Sequence, residues 1–415
     1  MRSIVRTGLL IGLGACVAAC GSVHSSNELM GRDAGERIDF GNPDGGDEQV
    51  LGGDAGVQCV PGGRDLDEFD LPACVDGAVP MDGGDAPLGD SSVPDSDASI
   101  TRDAGEDATV IDPMPCEQLM CEGDGVTVSC CDSVQLPGGG FPLGRCAFGC
   151  SDAYSFGYTT DMPEHDATLS PFALDRFEVT VGRFRRFVEQ FDGTPPAEGA
   201  GAHPLIAGSG WQSAWNDLLP TSRDELIAHL KCPPPLTFEP TWTDTPGAHE
   251  LYAINCVTWY DAFAFCAWEG KRLPTNAEWE YVAAGGEENR LFPWGNDPPT
   301  AAHANSLIGK VTGGTHEEWL AMQFVPVGSY PLGRGRWGHM DLAGNMAEWI
   351  LDAIEPTAYE GTPCNDCADL IPGPSNFRVV RGGSIHMPER DLRAAGRGLG
   401  EPHAQWDAVG IRCAQ

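Results

Sequence analysis

The chain has 415 residues, with 25 basic against 61 acidic side chains and a net charge of −36. So acidic a surface repels nucleic acid, and that class of partner is excluded. The length allows a large core in about two to three domains, while 54 Gly and 16 Cys point to long loops and an oxidising compartment.

Arg2 and Arg6 precede a short apolar run from Leu9 to Val17. This is a signal-peptide pattern, too short to span a bilayer as a mature helix. The run ends Val17-Ala18-Ala19-Cys20, then Gly21 and Ser22. Small residues meeting a cysteine there resemble a bacterial lipobox, in which Cys20 is lipidated and becomes the first mature residue. Ordinary cleavage, with Cys20 an incidental thiol, is the alternative. Residues 1–19 are thus expected to be a lipoprotein signal peptide. Acyl chains would hold the protein on a membrane without a spanning helix. Gly21, in place of Asp, resembles exported lipoproteins of an outer membrane.

Residues 20–115 are mostly Gly, Asp, Pro, Ser and Ala. NPDGGDEQ and MDGGDAPLGDSSVPDSDAS bury too little apolar area to offset the entropy of ordering. They read as a disordered acidic tether, without the spacing of a calcium-binding EF-hand. Cys59 and Cys74 suit a small loop within it. Residues 116–150 then hold Cys116, Cys121, Cys130, Cys131, Cys146 and Cys150. The CxxC pairs of a zinc ribbon are missing, so disulfides are favoured over zinc.

Residues 151–415 read as an α+β, loop-rich domain. Phe172, Leu174, Phe177 and Val179 suggest a strand. Thr180 then caps a helix with the stripe Val181, Phe184, Phe187, Val188 and Phe191. From Asp192 to Glu250 the chain reads as ordered loops around one short helix, Asp224 to Leu230. Thr258 with Asp261, and Thr275 with Glu278, are capping boxes that start two further helices. Gly270 ends the first of these, Pro274 sets the connection, and Gly285-Gly286 stops the second. A short strand from Val325 leads through Gly-rich turns to Asp341, Asn345 and Glu348. Val379-Val380 reads as a buried strand, Gly382-Gly383-Ser384 as a turn, and Val409 to Cys413 as a closing strand. Arg381, Arg393, Arg397 and Arg412 suit either salt bridges to core carboxylates, the favoured reading, or a cleft for an anion.

Four blocks now stand in order: LDRFEVTVGRFRRF, NCVTWYDAFAFCAWEGKRLPTNAEWEYVAAGG with FPWGN, MDLAGNMAEW, and VRGGS with GIRCA. Together they resemble the formylglycine-generating enzyme, or sulfatase-modifying factor, family over about Ala167 to Ala414. The resemblance implies a mixed fold similar to C-type lectins. It also implies oxidation of a substrate cysteine to formylglycine, using oxygen and copper held by two thiolates just after the Gly-Gly-Ser turn. In this chain Ile385 to Arg393 contains no cysteine, and the family's cysteine positions fall near Met387 and Leu392. Copper chemistry needs soft thiolates, so copper is not expected, although His386 and Met387 are the residues that an altered site would use. CNDC, Cys364 to Cys367, suits a redox dithiol or, as favoured, structural disulfides within the set Cys232, Cys256, Cys266, Cys364, Cys367 and Cys413. The resemblance also implies calcium, with the Asp341 side chain, the Gly344 and Met346 carbonyls and the Glu348 carboxylate as hard oxygen ligands. Capping of backbone amides by Asp341 and Glu348 is the alternative.

The expectation is a lipid-anchored envelope protein whose divergent, non-catalytic domain binds an unidentified protein or carbohydrate. The alternative is a copper- and oxygen-dependent oxidoreductase acting on protein cysteine. A sulfoxide synthase is disfavoured, because no segment supplies its three-histidine helical domain.

Overall fold

A computed structural model describes residues 116–145, 164–233, 239–309, 322–353, 363–371 and 376–415, apart from 117 and 124. The expected signal peptide, Cys20, the acidic tether, Cys146 and Cys150 lie outside the described residues. No helix among the described residues is long and apolar enough to cross a membrane.

The helices start where the sequence places their caps. The Thr180 hydroxyl accepts from the Arg183 amide at 3.2 Å and opens α1 (Val181–Gln190). Ser222 opens α2 (Arg223–His229) in the same way. Both capping boxes form in full, before α3 (Trp259–Trp268) and α4 (Asn276–Ala284). Gly285, at φ 71°, ends α4 in the left-handed region that a Cβ disfavours. Each box satisfies two amides that a helix start leaves unpaired, so these boundaries are decided locally.

Four strands form the sheet beneath α3 and α4, in the order β10 (Arg397–Gly400), β9 (Arg378–Arg381), β7 (Ala347–Ala353), β11 (Val409–Gly410). β10 and β7 run antiparallel to β9, whereas β11 runs parallel to β7. All seven residues of β7 are buried. Three tryptophans tie the helices to it. Trp259 donates to the Ile350 carbonyl at 2.8 Å, Trp349 to the Val257 carbonyl at 3.0 Å, and Trp279 to a Glu348 oxygen at 2.7 Å. The Pro274 turn docks there too, its carbonyl accepting from the Leu351 amide at 2.9 Å. A buried indole finds a partner for its N–H, so each contact fixes direction as well as packing.

The strand expected from Val325 is only an isolated bridge, Tyr252 to Pro326. Pro326 has no amide to donate, and Gly328 turns the chain at φ 79°. The regular strand lies later, at β7, and carries Glu348. The closing strand from Val409 likewise shortens to two residues, followed by a bridge between Arg272 and Ala414.

The cysteine-rich stretch contributes a hairpin, β1 (Met120–Gly123) with β2 (Val126–Ser129), and two more strands. β3 (Ser133–Leu136) pairs with β6 (Phe172–Asp175), and β4 (Gly139–Leu143) with β5 (His165–Leu169). Residues 133–143 are therefore sheet partners of the domain that follows them. The described cysteines form five disulfides: Cys116–Cys131, Cys121–Cys130, Cys232–Cys256, Cys266–Cys413 and Cys364–Cys367.

Candidate functional site

The site lies where two tight turns meet. Asp341, Gly344 and Asn345 have φ of 57°, 76° and 61°, and Gly382 and Gly383 have 90° and 64°. A Cβ on Gly344 would sit 2.5 Å from the Asn305 carbonyl oxygen, so that approach requires glycine. Gly344 donates to the Gly382 carbonyl at 3.0 Å, and Ile385 to the Asn345 carbonyl at 3.1 Å. The Asn345 turn and the Gly-Gly-Ser turn are thus stitched together by backbone bonds.

Beneath the turns lies a buried carboxylate group. Glu348 points from β7 at Arg412, with contacts of 2.7 and 3.0 Å, and accepts from Trp279. Arg412 also donates to the carbonyls of Asp175, Arg176 and Met340. An Asp341 oxygen accepts from the Gly328 amide at 2.6 Å. Glu178 joins them from the segment before α1, accepting from the Met346 amide at 2.9 Å and the Asn345 side chain at 2.6 Å.

Burial pushes the Asp341 carboxyl up to about 6, against the Gly328 amide and Arg412, with Glu348 adding to the rise. Burial, followed by the charges of Asp341 and Glu348, also holds Glu178 well above the usual carboxylate range. Asp341 and Glu348 thus lie close enough to repel each other, on either side of the Gly344–Met346 turn in the chain. Asp341 does cap an amide, and Glu348 is the partner of a buried arginine. Sequence reasoning missed Glu178. Its signal was an acid flanked by Phe177 and Val179, two apolar residues destined for the core.

The positions expected for a thiolate pair look different. Leu392 is fully buried, packed with Phe292, Ala304 and Ala343. Met387 is partly buried and is held by its backbone, its amide donating to the Ser384 carbonyl at 3.0 Å. Burial lowers the pKa of His386, which favours its neutral form. Every cysteine among the described residues is in a disulfide, with Cys364 and Cys367 bonded to each other. The arginines of the last segment mostly serve the core. Arg381 pairs with Glu280 at 2.6 Å, Arg412 with Glu348, and Arg397 lies 3.8 Å from Glu280.

Residues 121–415 match the sulfatase-modifying factor enzyme 1-like domain. The chain belongs to that family. It is 32% identical over 303 residues to a formylglycine-generating enzyme of Streptomyces coelicolor, covering 68% of this chain and 88% of that enzyme. It is 31% identical over 294 residues to the inactive C-alpha-formylglycine-generating enzyme 2 of Mus musculus, covering 68% and 84%. Among solved structures it is similar to PvdO from Pseudomonas aeruginosa, at 26% identity and a TM-score of 0.46, covering 68% of this chain and 93% of that one. Relatives named as active and as inactive are therefore comparably similar. Membership alone does not choose between them, and the site residues must.

Proposed function

We propose that this sulfatase-modifying factor domain is non-catalytic and serves as a binding module, with the lectin-like arrangement of its family presenting a protein or carbohydrate ligand site. The observation that carries this is Leu392. An aliphatic side chain packed into the core stands near a position where the family's chemistry needs a soft, electron-donating thiolate. Met387 supplies only a neutral thioether. The described cysteines are consumed in disulfides, and a disulfide sulfur does not bind Cu(I) as a thiolate does. In the competing reading, a copper-dependent oxidoreductase, His386 and Met387 would hold the metal. The test is oxygen uptake by the copper-loaded full chain with a cysteine-containing peptide. We expect a rate equal to that of free copper with the same peptide. Peptide formylglycine formed in proportion to enzyme would overturn the binding-module reading.

We propose that calcium is the resident ion, held near Asp341, the Gly344 and Met346 carbonyls and Glu348. The donors are hard oxygens, and Glu178, Asp341 and Glu348 face one guanidinium, a negative excess that suits a hard cation. Bound there, calcium would neutralise that excess. Asp341 would orient towards it while still capping Gly328, and Arg412 would hold Glu348. Localisation is proposed from the sequence: an exported lipoprotein anchored through Cys20, on an outer membrane. A Cys20→Ser variant is expected to move from the membrane fraction to the soluble one in a Gram-negative host. Its retention in the membrane fraction would count against the anchor.

A further inference from the structure

The Cys116–Cys131 bridge differs from the other described disulfides. Both of its residues are partly exposed, whereas Cys121–Cys130, Cys232–Cys256 and Cys266–Cys413 are buried and Cys364–Cys367 is buried at one end. It forms part of the wall of a pocket of about 480 Å³, completed by Arg186, Gln190, Trp268, Glu269, Lys271 and Gln415.

The charges at this pocket are ordered. Arg186 Nη1 donates to Cys116 Sγ and lies 3.9 Å from Cys131 Sγ. Its guanidinium sits 5.7 Å from the centre of the Trp268 ring, and Glu269 is 3.9 Å away. Glu269 is engaged more closely by Arg183, and Lys271 is engaged by Asp175 at 2.6 Å. The charge that hydrogen-bonds to the bridge is therefore positive and nearer to Cys116, while a Glu269 carboxylate oxygen lies within 4.8 Å of both sulfurs and is itself neutralised by Arg183. Ser129 holds the two cysteine backbones together. Its hydroxyl donates to the Cys116 carbonyl at 2.7 Å and accepts from the Cys131 amide at 3.1 Å. The buried Cys121–Cys130 bridge ties the same hairpin independently.

We propose that Cys116–Cys131 is a thiol-exchange site, taking the thiolate of a small or peptide thiol at Cys131 with Cys116 as the leaving sulfur. Exchange is fastest when the departing thiolate is stabilised and the attacked sulfur is reachable. Arg186 stabilises the Cys116 thiolate as it forms, as a neighbouring cation does for any thiolate. In the first step the incoming sulfur bonds to Cys131 Sγ while the Cys131–Cys116 bond breaks and Cys116 carries away the electron pair. A second thiol then attacks the mixed disulfide. Two substrate thiols leave as one disulfide, and the protein pair takes up two electrons and two protons. Ser129 keeps the pair close enough for the Cys116 thiolate to attack the Cys131 mixed disulfide in reverse, reclosing the bridge and releasing the incoming thiol when no second thiol arrives. The Cys364–Cys367 bridge is set up differently. Its Cys364 end is buried, where an attacking thiolate has less access, and the intervening Asp366 has its carboxylate held by Ser170. This inference is independent of the function proposed above.

The experiment treats the oxidised full chain with millimolar reduced glutathione and, separately, with an uncharged cysteine-containing hexapeptide. Samples are quenched in acid, alkylated and mapped by mass spectrometry. The first adduct is expected on Cys131, about tenfold faster than any adduct on Cys364 or Cys367. The faster of the two probes tells whether the pocket suits a small thiol or a peptide. Arg186→Gln is expected to slow adduct formation about tenfold and to move the alkylation midpoint of released Cys116 to higher pH, with Arg186→Lys restoring much of both. A first adduct on Cys116, equal rates at Cys364–Cys367, or an unchanged rate in a folded Arg186→Gln protein would overturn the proposal. If that variant fails to fold, the site of the first adduct in the unaltered protein decides it.

Discussion

Replacing Arg412 by Met is expected to destabilise the domain by about 3–5 kcal/mol, the range for removing one partner of a buried ion pair. Arg412 and Glu348 are both buried, so the variant leaves a buried charge without its partner. The loss goes further, because the carbonyls of Asp175, Arg176 and Met340 lose a donor as well. Glu178 and Asp341, already raised by burial and by neighbouring carboxylates, would lose an attractive charge. Thermal unfolding should register a fall of roughly 6–10 °C, at about 2 °C per kcal/mol for a domain of this size. The same variant tests calcium. With the guanidinium gone, the carboxylates are balanced by protons or by a hard cation, and a cation gains the more from its removal. Millimolar calcium added after chelation is expected to raise the midpoint of the variant by more than that of the unaltered protein. Midpoints indifferent to calcium in both proteins would remove the ion from this site. A variant within 1 °C of the unaltered protein would show that the pair contributes little.

Opening the Cys266–Cys413 bridge is expected to have a comparable effect. The pair closes a loop with a sequence separation of 147, joining α3 to the segment after β11. Chain-entropy reasoning gives about 5 kcal/mol for a loop of that length, an upper figure because residual structure in the unfolded chain reduces it. Both sulfurs are buried, so Ala is the replacement that avoids a buried hydroxyl. A Cys266→Ala, Cys413→Ala protein should unfold at much lower denaturant concentration than the unaltered one. The change should lie in the midpoint, with the slope rising as the unfolded chain expands. Opening the Cys364–Cys367 bridge, with a sequence separation of 3, should cost far less, since it restricts the unfolded chain little. Equal losses from the two would show that unfolded-chain entropy is not what these bridges supply.

These two expectations rest on contacts of different legibility. The helices were legible because their determinants are local. Thr258 meets Asp261 three residues on, and Thr275 meets Glu278, so the caps form whatever surrounds them. The absence of cysteine from Ile385 to Arg393 was equally plain. It could be read only because the Gly-Gly-Ser turn marked where to look. The segment from Val325 forms only an isolated bridge for a related reason. Whether a short apolar run becomes a strand depends on a partner far away in the chain, and Pro326 has no amide to offer one.

The amino-acid sequence by itself determined the capped helices, the Gly-dependent turns and the loss of thiols beside the Gly-Gly-Ser turn. Each depends on residues a few positions apart. Only the tertiary structure decided that Glu178 joins Asp341 and Glu348, although it stands 167 residues before Asn345, and that Arg412 answers Glu348 across a separation of 64. It alone decided which cysteines pair, and that Arg186 rests against Cys116. Such choices are made by packing, since a buried charge must find its partner wherever the folded backbone brings one within reach.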